Sequence, residues 1–72
     1  MKTTKATYVK EIKAMRNQVY QAKGIQGDYQ VAMLYSKHVG KCNDIPARAT
    51  KAQIEGLYED MVNYMSDNRI QY

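Results

Sequence analysis

His38 and Cys42 are the two residues of this chain whose types and spacing could support nucleophilic catalysis. A cysteine–histidine dyad also needs a group that orients the histidine and donors that stabilise an oxyanion. Asp44 lies close in sequence, but no motif supplies the remaining donors. We therefore predict that the chain is not an enzyme, that His38 completes an apolar helix stripe, and that Cys42 acts as a small hydrophobic residue.

The remaining residues do not favour a metal site or a pair of groups for acid–base catalysis. One histidine and one cysteine fall short of the roughly three or four protein ligands that zinc needs. Glu55 and Glu59 share one helix face, where solvation or pairing with a basic neighbour is the expected role. We predict no metal site, no cofactor and no catalytic carboxylate pair.

Lys and Arg side chains form the most informative pattern. Residues 1–51 hold ten of them, Lys2 and Lys5 included, against three Asp/Glu, whereas residues 52–72 hold one Arg and four Asp/Glu. This asymmetry is compatible with an anionic partner, with self-association between the two parts, or with two solvated faces. Because ammonium groups pair with phosphate and tyrosine rings stack on bases, we predict these ligand-binding residues: Tyr8, Lys10, Lys13, Arg16, Tyr20, Lys23 and Tyr29.

A pair of glycines separates the first two predicted helices in the stretch Gly24-Ile25-Gln26-Gly27. Glycine lacks a Cβ, so such a loop can bring backbone N–H groups close to a phosphate. It resembles the GxxG loop of KH nucleic-acid modules, but the KH fold needs strands that the pattern does not predict. A plain turn, with Gly24 capping the first helix, is the favoured interpretation.

Hydrophobic periodicity predicts an all-α fold with three antiparallel helices, at about residues 4–23, 28–39 and 50–66. Asp28 is the expected N-cap of the second helix and Gly40 its end, while Thr50 and Gln53 fit a capping box. Pro46 either starts the third helix early or adds a separate turn. The inward stripes are Tyr8, Ile12, Met15, Val19 and Ala22; Val31, Leu34, Tyr35 and His38; and Ile54, Leu57, Tyr58, Met61 and Met65.

The chain is short enough to form a single domain, residues 1–72, and its stability is expected to be marginal. Its one cysteine excludes a disulfide within the chain, so oligomerisation is the remaining means of stabilisation, and we predict a homo-oligomer. Apolar runs are too short to cross a membrane. A lone thiol without a signal sequence favours a cytoplasmic location.

In size, helicity and predicted oligomeric habit the chain resembles small helical phage proteins that sequester cyclic nucleotide signals, the anti-CBASS sponges. That family places a tyrosine in its first helix and a lysine near the start of the next, and Tyr8 and Lys23 match those positions. The resemblance implies an anti-defence role in a host cell, with nucleotide pockets at subunit interfaces and no turnover of the ligand.

These observations predict a small non-enzymatic protein that captures an anionic, nucleotide-type ligand through a Lys/Arg/Tyr patch. Two alternatives stay open. One is a protein-docking inhibitor or adaptor of a host factor, indicated by Met61 and Met65 on the third helix. The other is a nonspecific nucleic-acid-binding protein, whose affinity would fall steeply with salt.

Overall fold

Two helices make up the protein in the computed structural model, which describes residues 4–70. They are α1, Lys5–Val39, and α2, Lys51–Asp67, and no strand occurs within the described residues. The all-α prediction is confirmed. The prediction of three separate helices is not, because residues 4–23 and 28–39 belong to one element. Residues 1–3 and 71–72 of the predicted domain lie outside the described residues.

α1 bends sharply at Gly24, whose φ of 69° and ψ of −147° are not helical. A straight helix of 35 residues would be about 52 Å long, whereas the longest dimension of the protein is 29 Å. The bend divides α1 into an N-terminal arm, residues 5–23, and a C-terminal arm, residues 25–39. Gly24 was expected to end a helix and open a loop, but it makes the turn alone because glycine tolerates this backbone conformation.

The two arms pack closely against each other at Gly27, which is buried. A Cβ added there would lie 2.8 Å from Cγ1 of Val19 and 2.5 Å from Cβ of Lys23. The second glycine of the GxxG stretch is thus needed for helix packing, and it lies within helical structure rather than in an open phosphate-binding loop.

Most helix ends lie at the capping residues that the sequence predicts. Thr50 and Gln53 form the predicted capping box, and Gly40 ends α1 with its N–H donating to the carbonyl oxygen of Ser36. The N–H of Ala49 donates to the carbonyl oxygen of Pro46, so Pro46 begins a separate turn and α2 starts later. The prediction for Asp28 is wrong: it lies inside α1 instead of capping a new helix, because α1 is helical again directly after Gly24.

One hydrophobic core lies between the two arms and α2. Its members are Ile12, Met15, Val19, Val31, Tyr35, Val39, Ile45, Ala49, Ile54, Leu57, Met61 and Met65. The predicted stripes therefore hold for most positions, with Ala22 exposed as an exception. Met61 and Met65, which had suggested a docking face, are core residues. Neither described helix carries an apolar stretch long enough to cross a membrane.

Candidate functional site: a groove at the bend of the first helix

A groove of about 520 Å³ opens beside the bend of α1, between the C-terminal arm and the end of α2. Its volume is within the roughly 300–1,000 Å³ typical of small-molecule sites. Ile25 and Gly27 form part of the wall. The side chains that could bind a ligand are Lys23, Gln26, Tyr29, Gln30, Tyr64 and Asn68. We call this site the bend groove.

The two tyrosines of the bend groove differ in exposure. Tyr29 is 63% exposed, and Tyr64 is half-buried against the core. Asn68 is positioned by a 2.8 Å hydrogen bond from its Nδ2 to the carbonyl oxygen of Tyr64, which leaves its Oδ1 as an acceptor. Lys23 supplies the one positive charge among the lining residues. A cation, two rings and three amide side chains therefore border one cleft.

Arg16, a predicted ligand-binding residue, is occupied by contacts within the protein. Its Nε and Nη2 donate to the two carboxylate oxygens of Asp28, at 2.8 and 3.2 Å, and its Nη1 donates to the carbonyl oxygen of Cys42 at 2.8 Å. Its guanidinium also lies over the ring of Tyr35, 4.7 Å from the centroid. Arg16 joins both arms and the connection to α2, so its role in the structure is to hold the fold together.

The electrostatics of this cluster follow from the same contacts. The hydrogen bonds from Arg16 lower the pKa of Asp28 and raise the pKa of Arg16 itself. Burial raises the pKa of Tyr35, because desolvation disfavours the phenolate. All three groups therefore keep their usual charge states near neutral pH.

The other predicted site residues are dispersed. Lys10 and Lys13 line a separate groove on the N-terminal arm. Tyr8 packs edge-on against Tyr58, with ring centroids 4.9 Å apart, and is partly buried against the core, which agrees with its place in the predicted inward stripe. Tyr20 is 51% exposed and does not line the bend groove. Lys2 lies outside the described residues.

His38 forms a hydrogen bond with a carboxylate of α2. Its Nε2 and Oδ2 of Asp60 are 2.5 Å apart, in a partly buried hydrogen bond between α1 and α2. The same bond holds the pKa of Asp60 below its usual value, with Lys37 at 3.7 Å contributing. Cys42 is exposed in the connection, and the described residues contain no cluster of three or more potential metal ligands.

Sequence reasoning did not identify Gln26, Gln30, Tyr64 and Asn68 as site residues. Their types carry no motif, and Tyr64 in α2 and Asn68, the C-cap of α2, lie more than thirty residues after the bend. Only the packing of α2 against the C-terminal arm brings them to Tyr29. Of the seven predicted residues, the structure places Lys23 and Tyr29 in this groove.

The chain matches no protein-family model, no curated protein and no solved structure. The resemblance to the anti-CBASS sponges therefore stays a prediction, and the site has to be interpreted from its own geometry.

Proposed function

We propose that this protein is a non-enzymatic binding protein that captures an anionic, nucleotide-type ligand in the bend groove. The observation that supports this most is the presence of Lys23, Tyr29 and Tyr64 around one cleft of suitable volume. A nucleotide has three parts that these residues complement: a charged phosphate, a flat base and polar base edges.

Each part of the ligand has a candidate partner. The ammonium group of Lys23 pairs with phosphate as a point charge. The exposed ring of Tyr29 offers a stacking surface for a base, which is worth roughly 1–3 kcal/mol in single-stranded nucleic-acid complexes. Gln26, Gln30 and Asn68 provide donors and acceptors for the base edge.

The resemblance to the anti-CBASS sponges supports a more specific proposal, in which the ligand is a cyclic nucleotide signal that the protein sequesters during phage infection. In this version Tyr8 and Lys23 would bind the ligand. They lie 15 positions apart on the N-terminal arm, or about 22 Å along a helix axis. A small ligand that touched both would have to lie between two chains. A ligand of the bend groove needs Lys23 alone, so the two versions differ in their dependence on Tyr8.

A thermal-shift experiment tests the proposed function. Mononucleotides, cyclic dinucleotides and inorganic phosphate are each titrated up to millimolar concentration. A ligand present at about ten times its dissociation constant stabilises the folded protein by about 1.4 kcal/mol. In a domain of this size that corresponds to roughly 5–10 °C in melting temperature. No shift with any nucleotide at millimolar concentration would refute the proposal.

Two tyrosine variants form a matched pair for this test. Tyr29→Ala removes the groove's stacking ring and is expected to abolish most of the nucleotide-induced shift. Tyr20→Ala removes another exposed tyrosine, which lies outside the groove, and is expected to leave the shift unchanged. Equal effects of the two substitutions would mean that the ligand does not bind in the bend groove.

Self-association is a second property that one specific observation favours. Ile25, Tyr29 and Met33 are spaced four apart on the C-terminal arm and are 78%, 63% and 51% exposed. They form one stripe on the side of the helix that faces away from the core. Asp28 is the one charged residue between Ile25 and Ser36, and Arg16 neutralises it.

We propose that the stripe binds a second copy of this chain and so forms the interface of the predicted homo-oligomer. Each copy carries a net charge of +4, so most surfaces would bring cations together on self-association. The uncharged stripe avoids that repulsion, and its aromatic and methionine content is typical of interface cores. A host protein on the same stripe is the alternative, and a single stoichiometric partner recovered in place of a dimer would support it.

A further inference from the structure

A shallow, open groove of about 600 Å³ runs along the exposed side of the N-terminal arm. Its polar residues are Lys5, Lys10 and Lys13, and its floor is formed by Ala6 and Val9. These residues share one side of the helix because they are spaced one, three and four positions apart. The groove thus presents three ammonium groups above small apolar side chains.

The connection to α2 extends this charged surface. A second groove, of about 570 Å³, is lined by Lys13, Lys41 and Arg48 among others, so the two grooves share Lys13. The arm and the connection are also joined by a 2.8 Å hydrogen bond from Nζ of Lys5 to the carbonyl oxygen of Ala47. We call the combined surface, Lys5, Lys10, Lys13, Lys41 and Arg48, the basic face.

Few negative charges oppose the basic face. Asp44 is the one carboxylate among the residues that line its two grooves. Asp44 and Lys13 lie 3.7 Å apart, and both side chains are more than half exposed, so water and salt screen this pair strongly. Glu11, the one acidic residue of the N-terminal arm, lines neither of the two grooves.

We infer that the basic face binds the phosphate backbone of double-stranded nucleic acid without recognising its sequence. Lys5 and Lys13 are eight positions apart, or about 12 Å along the helix. Measured along the duplex axis, that length spans about three to four base pairs at 3.4 Å each. Lys41 and Arg48 widen the surface, so a strand can contact both grooves.

The composition of the basic face favours a duplex over other polyanions. Proteins that bind single strands stack bases on aromatic rings, and no aromatic residue lines either groove. Membrane-surface helices insert large apolar side chains, whereas Ala6 and Val9 are small. Phosphate pairing by flexible lysines is what this surface provides, and such pairing carries no sequence information.

The salt dependence of duplex binding by the full chain tests the inference. Fluorescence anisotropy with a 20-base-pair DNA of arbitrary sequence is measured between 50 and 200 mM salt. Four or so phosphate contacts give a slope of log K against log salt of about −3 to −4. An unrelated DNA sequence and an RNA duplex of equal length are expected to bind with similar slopes.

Charge-matched double variants locate the site. Lys10→Gln with Lys41→Gln removes two cations that form no hydrogen bond or ion pair within the described residues, and is expected to weaken binding about tenfold and make the slope shallower by about 1.8. Lys37→Gln with Arg69→Gln removes the same charge elsewhere and is expected to change affinity less than twofold. Asp44→Asn keeps an oxygen acceptor for the N–H of Ile45 and is expected to strengthen binding severalfold.

Three results would overturn the inference: no duplex binding at 50 mM salt, equal weakening by the two double variants, or binding to anionic phospholipid vesicles without binding to duplex. The test is independent of the proposed nucleotide site. Tyr29→Ala is expected to leave duplex binding unchanged, and Lys10→Gln with Lys41→Gln is expected to leave the nucleotide-induced thermal shift unchanged, so either proposal can fail alone.

Discussion

Nε of Arg16 and Oδ1 of Asp28 lie 2.8 Å apart, although the two residues are twelve positions apart in the chain. In a straight helix that separation would be about 18 Å, so the contact exists only because α1 folds back at Gly24. The pair stabilises the bend, and the bend is what places Tyr29 beside the end of α2. Arg16 therefore helps to position the side chains of the bend groove, although it does not line the groove itself.

A double-mutant cycle measures this contact. Arg16→Gln, Asp28→Asn and the double variant are expected to give a coupling energy of about 1–2 kcal/mol in urea unfolding. This is below the range for fully buried pairs because Asp28 is partly exposed to solvent. A coupling energy near zero would show that the pair does not stabilise the bend.

Acid is expected to destabilise the protein through Asp28 and Asp60. Their folded-state pKa values are lowered, chiefly by hydrogen bonds from Arg16 and His38 respectively. The stability they contribute is present above the ordinary carboxyl pKa and is lost as pH falls through the lower folded values, below about 4. Melting temperatures of the wild type and of Asp28→Asn with Asp60→Asn should converge from pH 5 to pH 2, and parallel curves would contradict this.

Close packing of the two arms at Gly27 predicts that even one added methyl group is harmful. Gly27→Ala would force Val19 and Lys23 away from the new Cβ, at a cost of about 1–3 kcal/mol. Ser36→Ala, at an exposed position of the same arm, should stay within about 0.5 kcal/mol of the wild type. An unchanged melting temperature in Gly27→Ala would mean that the arms are not packed as described.

The prediction of three helices from the sequence failed for a specific reason. Gly24 has the positive φ expected of a C-cap, but no local signal distinguishes a cap followed by a loop from a bend made by one residue. Capping chemistry is local, so the box at Thr50 and the end at Gly40 could be predicted. Asp28 could not be assigned correctly, since its partner Arg16 is reached only through tertiary structure.

The candidate site could be predicted only in part, because the sequence shows the type of each residue but not how the helices pack. Residue type alone marks Lys23 and Tyr29 as suited to a nucleotide, and both line the bend groove. Arg16 has the same chemistry, but it is used within the fold. The contribution of Tyr64 and Asn68 depends on how α2 packs, which periodicity alone does not specify.

If two copies associate through the exposed stripe, the native mass of the wild type is expected to exceed that of a variant with a charge in the stripe. Sedimentation equilibrium at tens of micromolar is expected to show a dimer or larger species for the wild type. Met33→Lys, which adds a cation at the stripe but outside the bend groove, is expected to be monomeric. Because Ile25 and Tyr29 belong to both surfaces, the mass should be measured with and without nucleotide. A monomeric wild type under both conditions would contradict the assignment.

Amide chemical-shift mapping of the ¹⁵N-labelled protein during nucleotide titration would show directly where the ligand binds. A nucleotide in the bend groove is expected to cause saturable shifts that cluster at residues 23–30 and 64–68, and Tyr29→Ala is expected to abolish them. Shifts confined to residues 5–13 and 41–48, or no shifts at millimolar nucleotide, would contradict a nucleotide site at the bend.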